Sequence, residues 1–366
     1  MKSESKKNEN PLFDLSKAKQ KIENSKFATW WKRKGSKPKN FKYFNSLNER
    51  IEDEESLTRI NSLVIPPAWK YVRISPSKGG KIQALGIDKS GRIQYIYHAK
   101  FTEKQKQKKF AKIERFGKFL PNLRKVTNEH IALEGFPREK VLAVMIRLIN
   151  SLYIRIGTEK SVKFYKTYGI TTLQNRHLEI AKNGKLVFSF VGKHHIKHRK
   201  VIVDIELAKI MSDIKSIGKA GKLFHYLDAE NKSRPIKPSE INSYLKLATS
   251  PEFSAKDFRT WGATLLAALK LAEIGPAAGE TSRRKNIAKV IKKVAEQLGN
   301  TPNVCRDSYI HPVVLESYKK GIILEKINFR KKRRISQIEN EYNPDEIALM
   351  NLFQGKARNL SKIISY

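Results

Sequence analysis

The residues with most chemistry to offer begin in the stretch Leu298-Gly299-Asn300-Thr301-Pro302-Asn303-Val304-Cys305-Arg306-Asp307-Ser308-Tyr309-Ile310-His311-Pro312. Gly299 reads as the stop of one helix, and Thr301-Pro302 as the N-cap and first residue of another that Pro312 keeps short. Tyr309 therefore sits near the end of a brief helix, beside Arg306 and His311. It is either a half-buried packing residue or a nucleophile, because a phenol beside cations is open to activation for covalent chemistry. Three cations elsewhere are candidates to act with it. Arg155, in Ile154-Arg155-Ile156-Gly157, follows a buried helix pattern directly and either closes a salt bridge or clamps a phosphate. Lys193 follows Gly192 near a hairpin tip, within reach of a surface ligand. Arg259 lies near the start of a helix, where free backbone N–H groups also favour an anion.

The elements that must position these side chains follow from pattern. A short helix over residues 51–63 precedes Pro66-Pro67, which force an extended segment, and strands are expected at 72–74, 82–86 and 93–97. Gly79-Gly80 and Ser90-Gly91 supply the turns of a small antiparallel sheet. In its last strand, alternation sets Gln94 and Ile96 on one face and Tyr95 and Tyr97 on the other. Residues 99–125 read as one charged helical segment leading to a second domain. Val141, Leu142, Met145, Leu148, Ile149 and Leu152 mark the buried face of the next helix. Strands at 177–180 and 185–191 flank Asn183-Gly184, a strong hairpin signal, and a third returns at 200–204. A basic, partly helical section fills residues 205–250. Ser254 and Asp257 then form a capping-box start to a helix through 272, and Ile287, Val290, Ile291, Val294 and Leu298 mark the one after it. The tail carries the basic run Arg330-Lys331-Lys332-Arg333-Arg334, followed by a stripe of Leu349, Phe353, Ala357, Leu360 and Ile364, read as a packing face.

Composition narrows the partners. The chain has 74 Lys and Arg against 35 Asp and Glu, a formal charge of +39, which self-repulsion disfavours unless a polyanion is the usual partner. Nucleic acid is the leading candidate, through counterion release, with an anionic membrane surface as the rival. Forty per cent hydrophobic residues suffice for cores in two domains. No long apolar run or signal-peptide core is read, so a soluble cytoplasmic chain is expected, nucleoid-associated in a bacterial host. A single cysteine, Cys305, excludes an internal disulfide and a Cys-built zinc site. The cluster His194-His195-Ile196-Lys197-His198 lacks a cysteine or carboxylate partner and sits among cations, so no metal is expected there. In the first fifty residues, Trp30-Trp31-Lys32-Arg33-Lys34 interleaves aromatics with cations: a base-stacking element or an anchor on a flexible basic arm.

Arg155, Lys193, Arg259, Asn300 and Tyr309 stand in that order along the chain. With Ile65-Pro66-Pro67-Ala68-Trp69, Gln94-Tyr95-Ile96-Tyr97, Tyr168-Gly169-Ile170-Thr171-Thr172-Leu173, Phe190-Val191-Gly192-Lys193 and Lys256-Asp257-Phe258-Arg259-Thr260-Trp261, the sequence resembles the type IB DNA topoisomerases of the poxvirus-like and bacterial group. The resemblance spans about residues 62 to 318. It implies an α+β fold, with a small antiparallel β-rich N-terminal domain and a mostly helical catalytic domain of the topoisomerase IB/tyrosine recombinase type, forming a C-shaped clamp on duplex DNA. The domains expected are a basic arm over 1–50, the β-rich DNA-binding domain over 51–110, the catalytic domain over 111–326, and a basic segment with a C-terminal helix over 327–366.

The resemblance also implies roles. Tyr309 would form a 3′-phosphotyrosyl bond and release a 5′-hydroxyl, with supercoils lost by rotation before religation. Arg155, Arg259 and Asn300 would bind the phosphate oxygens and Lys193 would be the general acid. Gln94, Tyr95, Tyr97 and Lys256 would contact DNA. Neither metal, ATP nor other cofactor is implied, and a monomer is expected. The poxviral enzymes carry His where this chain has Asn300, so that position is expected to donate a hydrogen bond without transferring a proton. Tyrosine recombinases share the Arg–Lys–Arg–Tyr logic but usually carry His where Lys256 stands, and they lack the Pro-Pro-Ala-Trp domain. A non-catalytic basic DNA-binding protein would account for the charge but not for five ordered residues.

Overall fold

The computed structural model describes residues 15–218, 221–324, 335–336 and 338–355. The basic run at 330–334, the end of the apolar stripe from Ala357 on and the first fourteen residues lie outside them. The chain divides into two compact units, residues 1–108 and 109–366.

The first unit is built on α1 (Leu15–Glu23), β1 (Trp31–Lys34), β2 (Lys42–Phe44), α2 (Glu54–Ser62), β3 (Lys70–Ile74), β4 (Ile82–Ile87) and β5 (Ile93–Tyr97). The strands form one antiparallel sheet in the order β2-β1-β3-β4-β5. Strand alternation sends neighbouring residues to opposite faces, and each face carries its own small core. Ile51, Ile60, Val72, Ile74 and Ala84 gather Trp31, Trp69 and Ile96, while Ala18, Ile22, Leu85 and Ile87 gather Phe27, Trp30 and Ile93.

This corrects the reading of the first fifty residues as an arm. Residues 31–34 and 42–44 are sheet strands, with Trp31 paired to Ile74, and Trp30 and Trp31 are packing residues. The cations that disguised these strands have aromatic neighbours: Arg33 lies 4.1 Å from the Phe41 ring centre and Lys34 4.1 Å from that of Phe44.

The boundary between the units falls within α3 (Ala99–Lys118). The helix expected over 99–125 breaks after Lys118, and α4 (Leu120–Ile131) starts with Pro121 in its first turn, where a missing N–H costs nothing. There follow α5 (Arg138–Leu152), α6 (Glu159–Tyr165), β6 (Leu178–Ile180), β7 (Lys185–Val191), β8 (Lys197–Val203), α7 (Ile205–Ile217), β9 (His225–Leu227), β10 (Ser233–Pro235), α8 (Pro238–Ala248), α9 (Ala255–Ile274), α10 (Glu280–Leu298), α11 (Pro302–Ser308), α12 (Pro312–Lys319) and α13 (Pro344–Phe353). An interior position explains the composition of α5: Val141, Ala143, Val144, Met145, Leu148 and Ile149 are wholly buried, covering its full circumference. The sheet β6-β7-β8 is antiparallel, and Gly184, at φ 77°, turns its first hairpin.

The last described segment is tied in by buried polar bonds. Asp204 accepts from the Ile335 and Ser336 N–H groups at 2.6 and 2.8 Å, and Arg124 meets Glu346 at 2.6 Å. Phe353 packs on Trp261 and His311 with ring centres 6.3 and 4.9 Å away.

Candidate active site

Each site residue sits where a helix or strand ends. Tyr153, at the end of α5, takes the left-handed conformation (φ 56°), and its ring lies so close to Gly262 that a Cβ there would approach Cε1 to 2.0 Å. That turn delivers Arg155. Its backbone is fixed by the Gly169–Thr172 turn: the Ile170 N–H donates to the Arg155 carbonyl at 2.8 Å, and the Thr171 hydroxyl to that of Gly157 at 3.0 Å.

Arg259 comes from the second turn of α9. That helix begins with the expected capping box, in which Asp257 accepts from the Ser254 N–H at 2.8 Å and is further held by Lys112 at 2.6 Å. Asn300 and Tyr309 flank α11, whose N-cap Thr301 accepts from the Val304 N–H. The buried hydroxyl of Thr264 shares its proton between the Thr260 carbonyl at 2.8 Å and the Tyr309 carbonyl at 3.2 Å, and accepts from the His311 N–H at 3.1 Å.

These ends converge. Arg155 donates through Nη2 to Asn300 Oδ1. Arg259, 3 % exposed, donates to the carbonyls of Tyr153 and Leu298, the latter at 2.7 Å, and its guanidinium carbon lies 5.3 Å from the Tyr309 ring centre. A guanidinium carries donors only, so Asn300 must turn its oxygen to Arg155 and its NH₂ away. That Nδ2 is buried without a protein partner, and so is Arg259 Nε. Two buried donors left open at one site are what an acceptor-rich ligand would fill.

A shallow pocket lined by Arg155, Tyr168, Gly192, Lys193, His198, Lys200 and Arg259 opens there. Lys193 projects from the turn between β7 and β8 and is exposed, as is Lys256 in the first turn of α9.

The electrostatics favour an anion. Burial opposes ionisation of the Tyr309 phenol, but the charges of Arg259 and Arg155, with Lys256 behind them, outweigh it and bring its pKa below the usual tyrosine value. Burial, then Arg155, draws the Arg259 guanidinium down to about 10, so it stays charged at neutral pH.

The sequence reading missed two pocket residues. His198 and Lys200 lie on the inward face of β8, and the signal for them was the alternation of that strand with buried Ile202. The three histidines of the cluster are thereby separated: His194 and His195 stay exposed on the turn, while His198 faces inward. His311 is the N-cap of α12, accepting from the Val313 N–H, and Cys305 is fully buried.

In the first unit, Tyr95 and Tyr97 are 39 % and 43 % exposed on the face opposite Ile96, with ring centres 6.1 Å apart. Gln94 does not share that face, and its amide donates to Asp88 at 2.8 Å.

Comparison with known proteins gives this geometry a family. Residues 98–338 match the eukaryotic DNA topoisomerase I catalytic core, and residues 40–88 match the bacterial DNA topoisomerase IB N-terminal domain. The chain belongs to the type IB DNA topoisomerases. It is 29 % identical to DNA topoisomerase 1B of Acanthamoeba polyphaga mimivirus over 288 residues, covering 76 % of this chain and 84 % of that protein. DNA topoisomerase 1B of Vaccinia virus (strain Copenhagen) is 26 % identical over 250 residues, 67 % of this chain and 74 % of the viral one. DNA topoisomerase 1 of rabbit fibroma virus is 27 % identical over 246 residues, with shares of 63 % and 70 %. As a type IB topoisomerase the chain is an isomerase acting on duplex DNA, and no helix among its described residues is long and apolar enough to cross a membrane.

Proposed function

We propose that Tyr309 is the nucleophile of this topoisomerase, attacking a backbone phosphorus of duplex DNA to form a 3′-phosphotyrosyl bond. The bond to the 5′-oxygen breaks, the cut strand rotates about the intact one, and attack by the 5′-hydroxyl restores the backbone and frees the phenol. One observation carries the reading: Arg259 lies over the Tyr309 ring, Arg155 holds the Asn300 amide, and two buried N–H donors of this group are still open. A buried donor left without a partner costs about 1–3 kcal/mol, a cost a phosphodiester's acceptor oxygens would remove.

Each group has a distinct task. Arg259 and Arg155 carry the charge that grows on the non-bridging oxygens, and Asn300 Nδ2 donates to one of them. Their existing bonds to Leu298, Tyr153 and each other preset these donors, so little reorganisation is left for the transition state. Lys193 is the general acid for the leaving 5′-oxygen, which is far more basic than an amine once the bond breaks. The exposed turn it stands on lets it reach the leaving-group side of the phosphate.

Lys256 and the Tyr95–Tyr97 pair are the proposed DNA contacts outside this chemistry; Gln94, on the other face of the strand and bonded to Asp88, would contact DNA only from that opposite face. The five proposed reacting groups belong to one chain, and we propose that it acts on DNA as a monomer in the cytoplasm.

The test is relaxation of supercoiled plasmid in EDTA without ATP, followed by denaturant trapping of protein on DNA. The wild type relaxes the plasmid and is trapped on the 3′ end of the nick, while Tyr309→Phe does neither. Relaxation by Tyr309→Phe, or trapping on the 5′ end, overturns the assignment.

A further inference from the structure

The glycines that precede Lys193 and Asn300 touch the same side chain. A Cβ on Gly192 would stand 2.6 Å from Cδ2 and Nε2 of His198, and one on Gly299 would stand 2.5 Å from its Cε1. The imidazole thus fills the gap between the root of the Lys193 turn and the turn that presents Asn300. Its stacking partner is Phe190, with ring centres 5.1 Å apart and an interplanar angle of 30°. Gly192 closes the Lys193 turn by donating its N–H to the Ile196 carbonyl at 2.8 Å, and Gly299 ends α10 at φ 64°.

The same strand grips the end of α10 again. Lys200, two residues beyond His198 on the inward face of β8, donates Nζ to the Gln297 carbonyl at 2.5 Å, and Arg259 takes that of Leu298. Three successive residues before Asn300 are therefore held by β8 and α9. We propose that His198 is a positioning residue: its ring sets the Asn300 turn against the Lys193 turn, so that amide and ammonium address one phosphate together.

The inference rests on the roles proposed above for Asn300 and Lys193. It requires shape rather than charge, in keeping with the surroundings. Burial, followed by Lys200, Arg155 and Arg259, depresses the His198 pKa to about 4, so the ring is neutral under working conditions.

The experiment measures the rate of covalent-adduct formation on supercoiled plasmid with enzyme in excess. It uses wild type, His198→Ala, His198→Phe, Asn300→Ala and the His198→Ala/Asn300→Ala double variant, with thermal melting of each. Loss of the ring misplaces a donor by about an ångström, for which a ~10²-fold slowing is expected in His198→Ala. His198→Phe, which keeps a flat ring on Phe190, should recover at least ~10-fold of that loss. In the Asn300→Ala background, removing His198 should cost clearly less than the full His198→Ala loss, because the share of that loss that acts through the Asn300 amide is already gone and only the share through Lys193 is left.

A wild-type rate for His198→Ala overturns the inference. So does a His198→Phe as slow as the alanine variant, which would put the imidazole's polar atoms to use, and so do additive losses in the double variant. If His198→Ala fails to fold, His198→Leu, which fills part of the gap, takes its place in the same cycle, and the same three results overturn the inference. Asn300→Ala at the wild-type rate would instead remove the role proposed for Asn300 itself, whatever His198 does.

Discussion

Two arginine clusters in the helical unit are built from the same residue type, similarly buried, yet they differ in one respect. Arg147, 3 % exposed, spends Nε on Thr127, Nη1 on the Ile335 carbonyl and Nη2 on Arg124 and Asn128, while Arg124 meets Glu346. Arg259, equally buried, bonds two carbonyls and leaves Nε open beside a phenol, and its neighbour Arg155 leaves open the amide it orients. A buried arginine with a partner at each of its three nitrogens is a stabilising tie. One whose donors stay open, or hold open a neighbour's, is prepared for a ligand. Burial depresses both guanidiniums to about 10, so the pKa alone does not separate the two clusters.

The sharpest way to break this comparison is at the reacting group. Tyr309→Phe should lose at least ~10⁴-fold in strand cleavage, since no other nucleophile is proposed, while melting near the wild-type temperature. Arg155→Ala and Arg259→Ala should each cost at least ~10²-fold in cleavage rate. Arg259→Ala should also lose about 1–3 kcal/mol of stability, because two carbonyls lose their donor. In the other cluster the balance reverses: Arg124→Ala leaves Glu346 buried and unpaired, at about 3–5 kcal/mol, with cleavage per folded molecule unchanged. If Arg124→Ala slowed chemistry in molecules that are still folded, the distinction between tie and site would fail.

Smaller effects test the surroundings. Tyr95→Ala and Tyr97→Ala should each weaken DNA binding by about 1–3 kcal/mol if they stack on bases, and by much less if they only pack on each other. The pH dependence of folding tests the buried histidines. His198 has a folded pKa of about 4 against 6.5 for a free imidazole, so between these values the unfolded chain binds the extra proton. Its contribution is complete above pH 6.5 and is lost as pH falls towards 4. His311 behaves likewise, also near 4, with burial first and Lys109 second as the causes. Melting curves across this window should fall less steeply for His198→Phe than for the wild type.

Much of the helical unit was legible because its signals are local. The Ser254–Asp257 capping box, the Gly299 helix stop, the Thr301-Pro302 start and the Asn183-Gly184 hairpin are each fixed by a few adjacent residues. The start of the sheet unit was not legible, since Trp31–Lys34 is a strand of four residues whose cations hide its alternation, and its pairing to β3 is non-local. The break after Lys118 was hidden for a similar reason, because a charged run continues smoothly through it.

For the site, the sequence by itself determined which residue types stand at Arg155, Lys193, Arg259, Asn300 and Tyr309, and that helix ends and a hairpin present them. Taken one at a time, Tyr309 and Arg155 each kept a bland reading beside the sharp one, because packing and catalysis use the same side chains. Tertiary structure decided that Arg155 orients the Asn300 amide and that Arg259 lies against Tyr309 with a donor to spare. It also brought His198 out of an apparent metal motif and into the space between two glycines. The Arg259–Tyr309, Arg155–Asn300 and His198–Gly299 contacts join residues roughly fifty to 145 positions apart in sequence, and no local rule of spacing specifies them; the fit of α5, α9, α10 and β8 around a shared core does.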